Sequence, residues 1–220
     1  MMPETPIANG YTALPPGGSG PGIVLCHAWW GLNDDFRVMA DRLAEAGYVV
    51  LAPDLWGGVV ARDIDEAEEL LTARDDAALF GAVSAALAEL VEHPAVQPGP
   101  IGMIGYSMGA AWALYLSGLH KRIGAVVGFY GNGEGDFAAA RAAYQLHFAT
   151  GDTWEPEEGI VALADALRAA GRAATFYAYD DVAHWFMEPG RPEYNASAAG
   201  LAWERTLAFL AEYLADAKLA

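Results

Sequence analysis

Short apolar runs alternate with segments of helical periodicity along most of the sequence. Each of the six runs is five or six residues long and contains no Asp, Glu, Lys or Arg. Continuous apolar runs of this length are typical of strands that are buried on both faces of a parallel sheet. We predict strands over residues 23–27, 48–52, 101–106, 125–130, 145–150 and 174–179.

The segments between these runs have the length and the capping residues of helices. Asn33 or Asp34 can cap the first of them, and Gly47 ends it. We predict helices over residues 34–46, 66–74, 76–92, 108–116, 157–170 and 196–217. The alternation predicts an α/β fold of three layers, in which helices cover both faces of a mostly parallel central sheet. Right-handed crossovers bring the carboxyl ends of the strands to one edge, where we expect the functional site.

Composition limits the class of protein. The 220 residues are 54% hydrophobic and 19% charged, which predicts one globular domain over residues 1–220, with a turn-rich lead-in over residues 1–21. The formal net charge of −17 argues against binding to nucleic acid or to an anionic membrane surface. The start of the sequence lacks the features of a signal peptide, and no apolar run is long enough to span a membrane. We therefore expect a soluble cytoplasmic monomer or homodimer.

The single cysteine, Cys26, excludes a disulfide within the chain and a thiolate metal site. Because Cys26 lies inside a predicted buried strand, we interpret it as a small core residue rather than as a nucleophile.

The segment Gly105-Tyr106-Ser107-Met108-Gly109 matches G-x-S-x-G and lies between a predicted strand and a predicted helix. The five-residue pattern recurs by chance, but a strand–turn–helix context is what a nucleophile elbow requires. Its tight turn strains the backbone of the central residue and leaves no room for side chains at the two glycines. The turn also exposes the serine hydroxyl beside the N–H groups of a helix N-terminus. Ser107 is the predicted nucleophile, and the alternative is a tight turn with an idle serine.

A serine nucleophile needs a base and an orienting carboxylate, and α/β-hydrolases carry them in the order Ser, Asp or Glu, His. His184 is the predicted base because it lies in a loop after a predicted strand, whereas His120 ends a helix and His147 lies within a strand. Asp152 is the predicted acid because it directly follows a strand. The competing carboxylates lie at the same edge of the sheet, Glu155 in the same loop as Asp152 and the others in neighbouring loops: Asp54, Glu155, Asp180 and Asp181.

An oxyanion formed at the substrate carbonyl needs N–H donors. One is predicted to be the backbone N–H of Met108, the residue after the nucleophile, and the best candidate for the second is that of Trp29. Several loops at the predicted catalytic edge also carry large aromatic side chains, which suit an apolar pocket. We predict a substrate pocket formed by Trp30, Trp154, Trp185 and Tyr106, and among the loop tryptophans Trp29 and Trp185 are the first candidates for it. The alternative is that aromatic side chains pack the loops onto the sheet.

Four segments together resemble the dienelactone hydrolase family: His27-Ala-Trp-Trp-Gly-Leu-Asn-Asp, Gly47-Tyr-Val-Val-Leu-Ala-Pro-Asp-Leu-Trp-Gly-Gly, the elbow, and Ala183-His-Trp-Phe. The resemblance extends over residues 22–213. It implies an α/β-hydrolase domain that cleaves small ester or lactone substrates without a metal ion or an organic cofactor. It also implies that the family's nucleophile, acid, base and oxyanion donors fall on Ser107, Asp152, His184, Trp29 and Met108.

The chain departs from the family's pattern at its nucleophile. The typical nucleophile there is a cysteine, and many members carry a glutamate that interacts with the resting thiol, where this chain has Ser107 and Ala28. A thiol beside a histidine ionises readily, whereas a serine hydroxyl does not. We therefore hypothesise an ordinary serine-esterase triad that works without the glutamate.

A further departure concerns the substrate, because the dienelactone carries a carboxylate that founding members hold with arginines. Just after His184, where one such arginine would fall, this chain has Met187 and Glu188, which leaves Arg62 as a candidate. With a net charge of −17 we expect a neutral ester or lactone. The alternatives are dienelactone (carboxymethylenebutenolide) hydrolysis proper, a peptidase or acyltransferase reaction, and a non-catalytic binding protein on this fold.

Overall fold

The structure, a computed structural model, describes residues 10–214. Within them one sheet contains seven strands: β1 (Gly10–Ala13), β2 (Gly22–Cys26), β3 (Val49–Pro53), β4 (Ile101–Tyr106), β5 (Ile123–Phe129), β6 (Ala143–Ala149) and β7 (Ala174–Tyr179). The spatial order is β1-β3-β2-β4-β5-β6-β7. Strands β2 to β7 are parallel to their neighbours, and β1 pairs antiparallel with β3.

The helices of the described residues are α1 (Asp34–Glu45), α2 (Ile64–Thr72), α3 (Asp76–Glu92), α4 (Met108–Leu119), α5 (Glu157–Ala169) and α6 (Ala196–Leu214). Alternate residues of each buried strand face opposite layers. In β2, Ile23 and Leu25 pack in the core that contains α1 and α6, whereas Val24 and Cys26 pack in the core that contains α3, α4 and α5. These two cores confirm the predicted three-layer α/β fold. None of the described helices is long and apolar enough to cross a membrane.

The six predicted strands and the predicted helices are all present, with strand bounds that differ by at most two residues. Within the turn-rich lead-in, residues 10–13 form the edge strand β1, which the sequence analysis did not predict. This strand has four residues, of which only Ala13 is buried, so it lacks the apolar run by which the other strands were recognised. Residues 1–9 of the lead-in and residues 215–217 of the last predicted helix lie outside the described residues.

The parallel strands place four loops at one edge of the sheet. The central strand β4 ends at the elbow, and its neighbour β2 ends at the loop that carries Trp29. The strands β6 and β7 end just before the loops that carry Asp152 and His184. Residues that are far apart in the sequence can therefore meet at this edge.

Candidate active site

Ser107 occupies the strained turn that the elbow requires. Its backbone has φ 51° and ψ −115°, and it directly precedes α4. A Cβ atom added to Gly105 would lie 2.2 Å from the carbonyl oxygen of Gly109, so the turn closes only with a glycine there. The N–H of Ser107 donates to the carbonyl oxygen of Phe129 at 2.9 Å, which fixes the turn to the neighbouring strand.

The structure brings Ser107, His184 and Asp152 into one chain of hydrogen bonds. Nδ1 of His184 lies 2.7 Å from Oδ2 of Asp152, and Nε2 lies 2.9 Å from Oγ of Ser107. A carboxylate only accepts hydrogen bonds, so the proton of the neutral imidazole lies on Nδ1 and Nε2 is free to accept the serine proton. The side chains of His184 and Asp152 are 4% and 3% exposed, so water does not compete for this bond.

The loop after β6 orients the carboxylate of Asp152. Its second oxygen, Oδ1, accepts the backbone N–H groups of Trp154 at 2.8 Å and Glu155 at 3.0 Å. Both oxygens are therefore engaged, one by the turn and one by the imidazole. This arrangement leaves the carboxylate with little freedom to rotate away from His184.

The other candidate histidines and the cysteine lie away from this chain of hydrogen bonds. His147 is buried within β6, where its ring bonds to the hydroxyl of Tyr179 and to Oε1 of Gln145, and burial lowers its pKa to about 3. His120 caps the C-terminus of α4. Cys26 is fully buried in β2, and burial raises the pKa of its thiol to about 12, so it stays protonated.

The competing carboxylates take other roles. Asp180 and Asp181 are exposed, and Asp54 accepts N–H bonds within its own loop. Glu155 bonds to the side chain of Asn132. Burial, together with the neighbouring negative charge of Asp152, raises the pKa of Glu155 to about 7.

The N–H groups of Trp29 and Met108 have the properties of an oxyanion site. Neither donates a hydrogen bond to any partner within residues 10–214, and both residues line the same cavity as Ser107. The loop of Trp29 is held from behind, because Nε1 of Trp56 donates to the carbonyl oxygen of Trp29 at 2.7 Å. Gly31 makes the loop's tight turn with φ +95°, where a Cβ would lie 2.4 Å from a neighbouring carbonyl oxygen.

His27 also fixes this loop, a role that the sequence analysis did not assign. Its Nε2 accepts the N–H of Leu55 at 3.0 Å, which joins the ends of β2 and β3. Burial lowers the pKa of His27 to about 4, so the ring is neutral and its proton lies on Nδ1, which donates to the carbonyl oxygen of Ala28 at 2.6 Å. The available signal was a histidine at the carboxyl end of a buried strand.

A cavity of about 690 Å³ opens beside Ser107. Its lining is mainly apolar and comes from the Trp29 loop, the segment from α2 to α3, and the first turns of α4: Trp29, Leu71, Arg74, Asp76, Ala77, Phe80, Ser107, Met108, Ala111, Trp112 and Tyr115. Tyr115 lies four residues after Ala111 and three after Trp112, so all three contribute to one side of α4. Sequence reasoning missed these helical residues because it looked for the pocket in the loops.

Among the candidate pocket residues, Trp29 lines the cavity and the others lie elsewhere. Trp30, Trp154 and Trp185 pack around the indole of Trp29, with ring centroids 5.4, 5.2 and 5.9 Å from it, and they do not line the cavity. Tyr106 is fully buried and stacks on Phe129 with a centroid distance of 4.7 Å. Trp30, Trp185 and Tyr106 are buried and support the wall behind Trp29 and the elbow, whereas Trp154 is 43% exposed.

Two arginines that a substrate carboxylate could use, Arg74 and Arg62, are paired with carboxylates. Arg74 lines the cavity, and its Nε lies 2.7 Å from Oδ1 of Asp76, which lines the cavity as well. Arg62 is paired with Glu66, is 84% exposed and does not line the cavity. The lining therefore offers a substrate apolar contacts, and its arginine, Arg74, is already paired with Asp76.

Comparison with known proteins identifies the family. A model of the dienelactone hydrolase family matches residues 8–214. Protein usf of Aquifex pyrophilus is 30% identical, with 94% of each chain covered, and a probable 2-oxo-3-(5-oxofuran-2-ylidene)propanoate lactonase of Bradyrhizobium is 27% identical, with 88% of this chain and 84% of the relative covered. A solved dienelactone hydrolase-like promiscuous phosphotriesterase from metagenomic libraries is 25% identical with a TM-score of 0.80, covering 90% of this chain and 88% of the other.

Proposed function

Because this chain belongs to the dienelactone hydrolase family, and is thus a hydrolase of the ester or lactone type, we propose that it cleaves small uncharged esters or lactones through Ser107. The observation that carries this proposal is the chain of hydrogen bonds from Asp152 through His184 to Ser107, which ends at an apolar cavity. A nucleophile, a base and an orienting acid are the parts that acyl transfer needs.

In the first step the serine forms an acyl-enzyme. Nε2 of His184 takes the proton of Ser107 while the serine oxygen bonds to the substrate carbonyl carbon. The negative charge that moves onto the carbonyl oxygen is stabilised by the N–H groups of Trp29 and Met108, each contributing about 3 kcal/mol. Asp152 stabilises the imidazolium. His184 then gives its proton to the leaving alcohol oxygen as the carbon–oxygen bond breaks.

In the second step water releases the acyl group. His184, neutral again, takes a proton from a water molecule as that water attacks the acyl carbon. The same two N–H groups hold the second oxyanion. The proton returns from His184 to the oxygen of Ser107, which frees the carboxylic acid. A lactone follows the same course and yields one hydroxy acid, since its leaving alcohol stays tethered to the acyl group.

The cavity favours a small, uncharged and apolar substrate. Its wall carries the rings of Phe80, Trp112 and Tyr115, and its arginine, Arg74, is already paired with Asp76. A substrate carboxylate would have to compete with Asp76 for that cation. It would also approach a chain of net charge −17.

The proposal is tested by comparing hydrolysis of para-nitrophenyl acetate, para-nitrophenyl butyrate and dihydrocoumarin by the wild type and by Ser107→Ala. We expect the wild type to hydrolyse them and the variant to lose activity by about four orders of magnitude or more. A far-ultraviolet circular dichroism spectrum confirms that both are folded. A folded wild type that turns over none of the three substrates, or a variant that keeps its activity, would contradict the proposal.

The position of the cavity predicts which substitution narrows specificity. Ala77, near the start of α3, lines the cavity, so Ala77→Phe is expected to raise KM for the butyrate roughly tenfold while the acetate changes little. Ala78 is the matched control, because it is also exposed, directly follows Ala77 and does not line the cavity. Equal effects of Ala77→Phe and Ala78→Phe on KM for the butyrate would show that this cavity does not hold the substrate.

Since Ser107 replaces the family's cysteine, we expect no benefit from placing the family's glutamate at position 28. Ala28 is fully buried, so Ala28→Glu introduces a carboxyl group into a closed site. We expect no gain in kcat/KM and a loss of roughly 1–3 kcal/mol in the free energy of unfolding. Ala28→Gln separates the effect of size from that of charge. Urea unfolding measures the change in stability and shows that the variant is folded. A large rise in kcat/KM of folded Ala28→Glu would show that the glutamate still has a function here.

A further inference from the structure

The loop that carries His184 contains a second carboxyl group that the proposed mechanism does not use. Glu188 lies four residues after His184 and is fully buried. Its Oε1 accepts a hydrogen bond from the hydroxyl of Tyr130 at 2.7 Å, and its Oε2 has no partner within the described residues. A buried carboxyl group with a single partner is energetically costly, so its presence beside the base calls for an explanation.

Tyr130 connects Glu188 to the imidazole of His184. The two ring centroids, of Tyr130 and His184, are 4.9 Å apart. Tyr130 follows β5 with an unusual φ of 38°, and its N–H donates to the carbonyl oxygen of His147 at 2.7 Å. Its backbone is thus fixed by the sheet, and its hydroxyl is fixed by Glu188. The ring between these two points forms part of the wall against which the imidazole packs.

We propose that Glu188 is a positioning residue, which acts through Tyr130 to hold the imidazole of His184 in line with Ser107. The inference rests on the proposed function, since it concerns the same base. The resemblance to the family implies an arginine just after His184, and this chain has Glu188 there. The proposal gives that glutamate a role.

The surroundings of Glu188 favour its neutral form. Burial raises the pKa of Glu188 to about 8, and negative charges nearby add to this effect, whereas the bond from Tyr130 and the charge of Arg191 oppose it. The titratable and charged groups that face this site lie on β4, directly after β5, on α1 and in the loop itself: Tyr106, Tyr130, Asp35, Arg191 and Glu193. Burial also raises the pKa of both tyrosines, so they stay protonated while Glu188 titrates.

Loss of the proton from Glu188 should disturb the base. The ionised carboxylate would be a buried charge with one hydrogen bond, and such a charge draws in water or moves toward solvent. Either change would release the hydroxyl of Tyr130 and with it the wall beside His184. We therefore expect activity to fall on the alkaline side as Glu188 ionises.

The test is the pH dependence of kcat/KM for para-nitrophenyl acetate in the wild type, Glu188→Gln and Tyr130→Phe, with Asp180→Asn as the control. Glutamine keeps the shape of the neutral acid, so this variant should fold. For the wild type we expect a fall of about tenfold between pH 7 and pH 9, whereas Glu188→Gln should fall less than about twofold. Tyr130→Phe removes the hydroxyl through which Glu188 is proposed to act, so it should lower kcat/KM at neutral pH and lose the alkaline limb. Asp180 is exposed, and Asp180→Asn should keep the wild-type profile.

The outcomes separate the role of Glu188 from the proposed function. If the wild type shows activity that depends on Ser107 and Glu188→Gln keeps the alkaline limb, or loses activity by one factor at every pH, the role of Glu188 is refuted and the proposed function stands. If the wild type is inactive at every pH, both fail.

Thermal unfolding gives a second readout that does not depend on activity. The pKa of Glu188 is raised in the folded state, so its contribution to stability is complete below about pH 4.5 and is lost as pH rises to about 8. The Tm of Glu188→Gln relative to the wild type should therefore increase between pH 5 and pH 8. A constant difference would show that the carboxyl group does not hold its proton in the folded protein, which would overturn the inference.

Discussion

Asp152→Asn is expected to lower kcat by about four orders of magnitude while the chain remains folded. In the wild type the carboxylate accepts Nδ1–H of His184 at 2.7 Å and thereby leaves Nε2 free for the proton of Ser107. An asparagine amide can donate to Nδ1 instead, which places the imidazole proton on Nε2 and removes the base. The measurement is kcat for para-nitrophenyl acetate near pH 7.5, with circular dichroism to confirm the fold.

Glu155 supplies the matched control for this prediction. It is the other carboxyl group of the same loop, it was a competing candidate for the acid, and it bonds to Asn132 rather than to the histidine. Glu155→Gln keeps that bond, so we expect kcat to stay within about threefold of the wild type. If kcat fell by orders of magnitude in Glu155→Gln and not in Asp152→Asn, the acid would have been assigned to the wrong residue.

Gly109→Ala is expected to destabilise the fold by more than about 3 kcal/mol, which is enough to prevent recovery of soluble protein. A Cβ on Gly109 would lie 2.3 Å from the carbonyl oxygen of Cys26 and 2.7 Å from that of His27. These atoms belong to the backbone at the end of β2, in the middle of the sheet, and cannot move without breaking its pairing with β4. The measurement is the free energy of unfolding in urea, or the soluble yield where the variant does not fold.

Gly81→Ala is the control for this substitution. Gly81 lies in the interior of α3, and nothing approaches within 4 Å of the Cβ that alanine would add. Alanine favours helix more than glycine does, so we expect a gain of about 0.5–1 kcal/mol. The account of the elbow would be contradicted if Gly109→Ala unfolded at the same urea concentration as the wild type.

The sequence was sufficient to predict the strands and the candidate residues at their ends. Runs such as 101–106 are apolar on both faces because both faces are covered by helices, and this leaves a signal that can be recognised in the sequence. The elbow was predictable because its glycines are required by backbone contacts that are local to one turn. The order of Ser107, Asp152 and His184, each just beyond a strand, predicted which side chains would meet.

The cavity could not be predicted in the same way, because it depends on packing between segments. Phe80 and Tyr115 belong to different helices, and their rings meet with centroids 6.1 Å apart only once α3 and α4 lie side by side. The tryptophans of the loops differ from one another in a way that also depends on packing, since Trp29 lines the cavity and Trp30 and Trp185 do not. Trp30 and Trp185 fall at the expected edge, but they pack on each other at 5.0 Å and are buried instead of lining the cavity.

Glu188 shows the same limit for a single residue. The sequence indicated only that an expected arginine is replaced by a carboxyl group. Its bond to Tyr130 joins positions 58 residues apart, and nothing in the sequence around either residue predicts that contact. Edge strand β1 was missed for a related reason, since it is stabilised by pairing with β3 rather than by an apolar run of its own.

The most direct test of the account is covalent labelling with a fluorophosphonate, followed by intact mass spectrometry and peptide mapping. An activated serine displaces fluoride from phosphorus and keeps the phosphonyl group, so the reaction reports the nucleophile without requiring the natural substrate. We predict one adduct per chain, located on Ser107, absent from Ser107→Ala and formed far more slowly in His184→Ala. A folded wild type that forms no adduct, or an adduct that persists in Ser107→Ala, would contradict the assignment of Ser107 as the nucleophile.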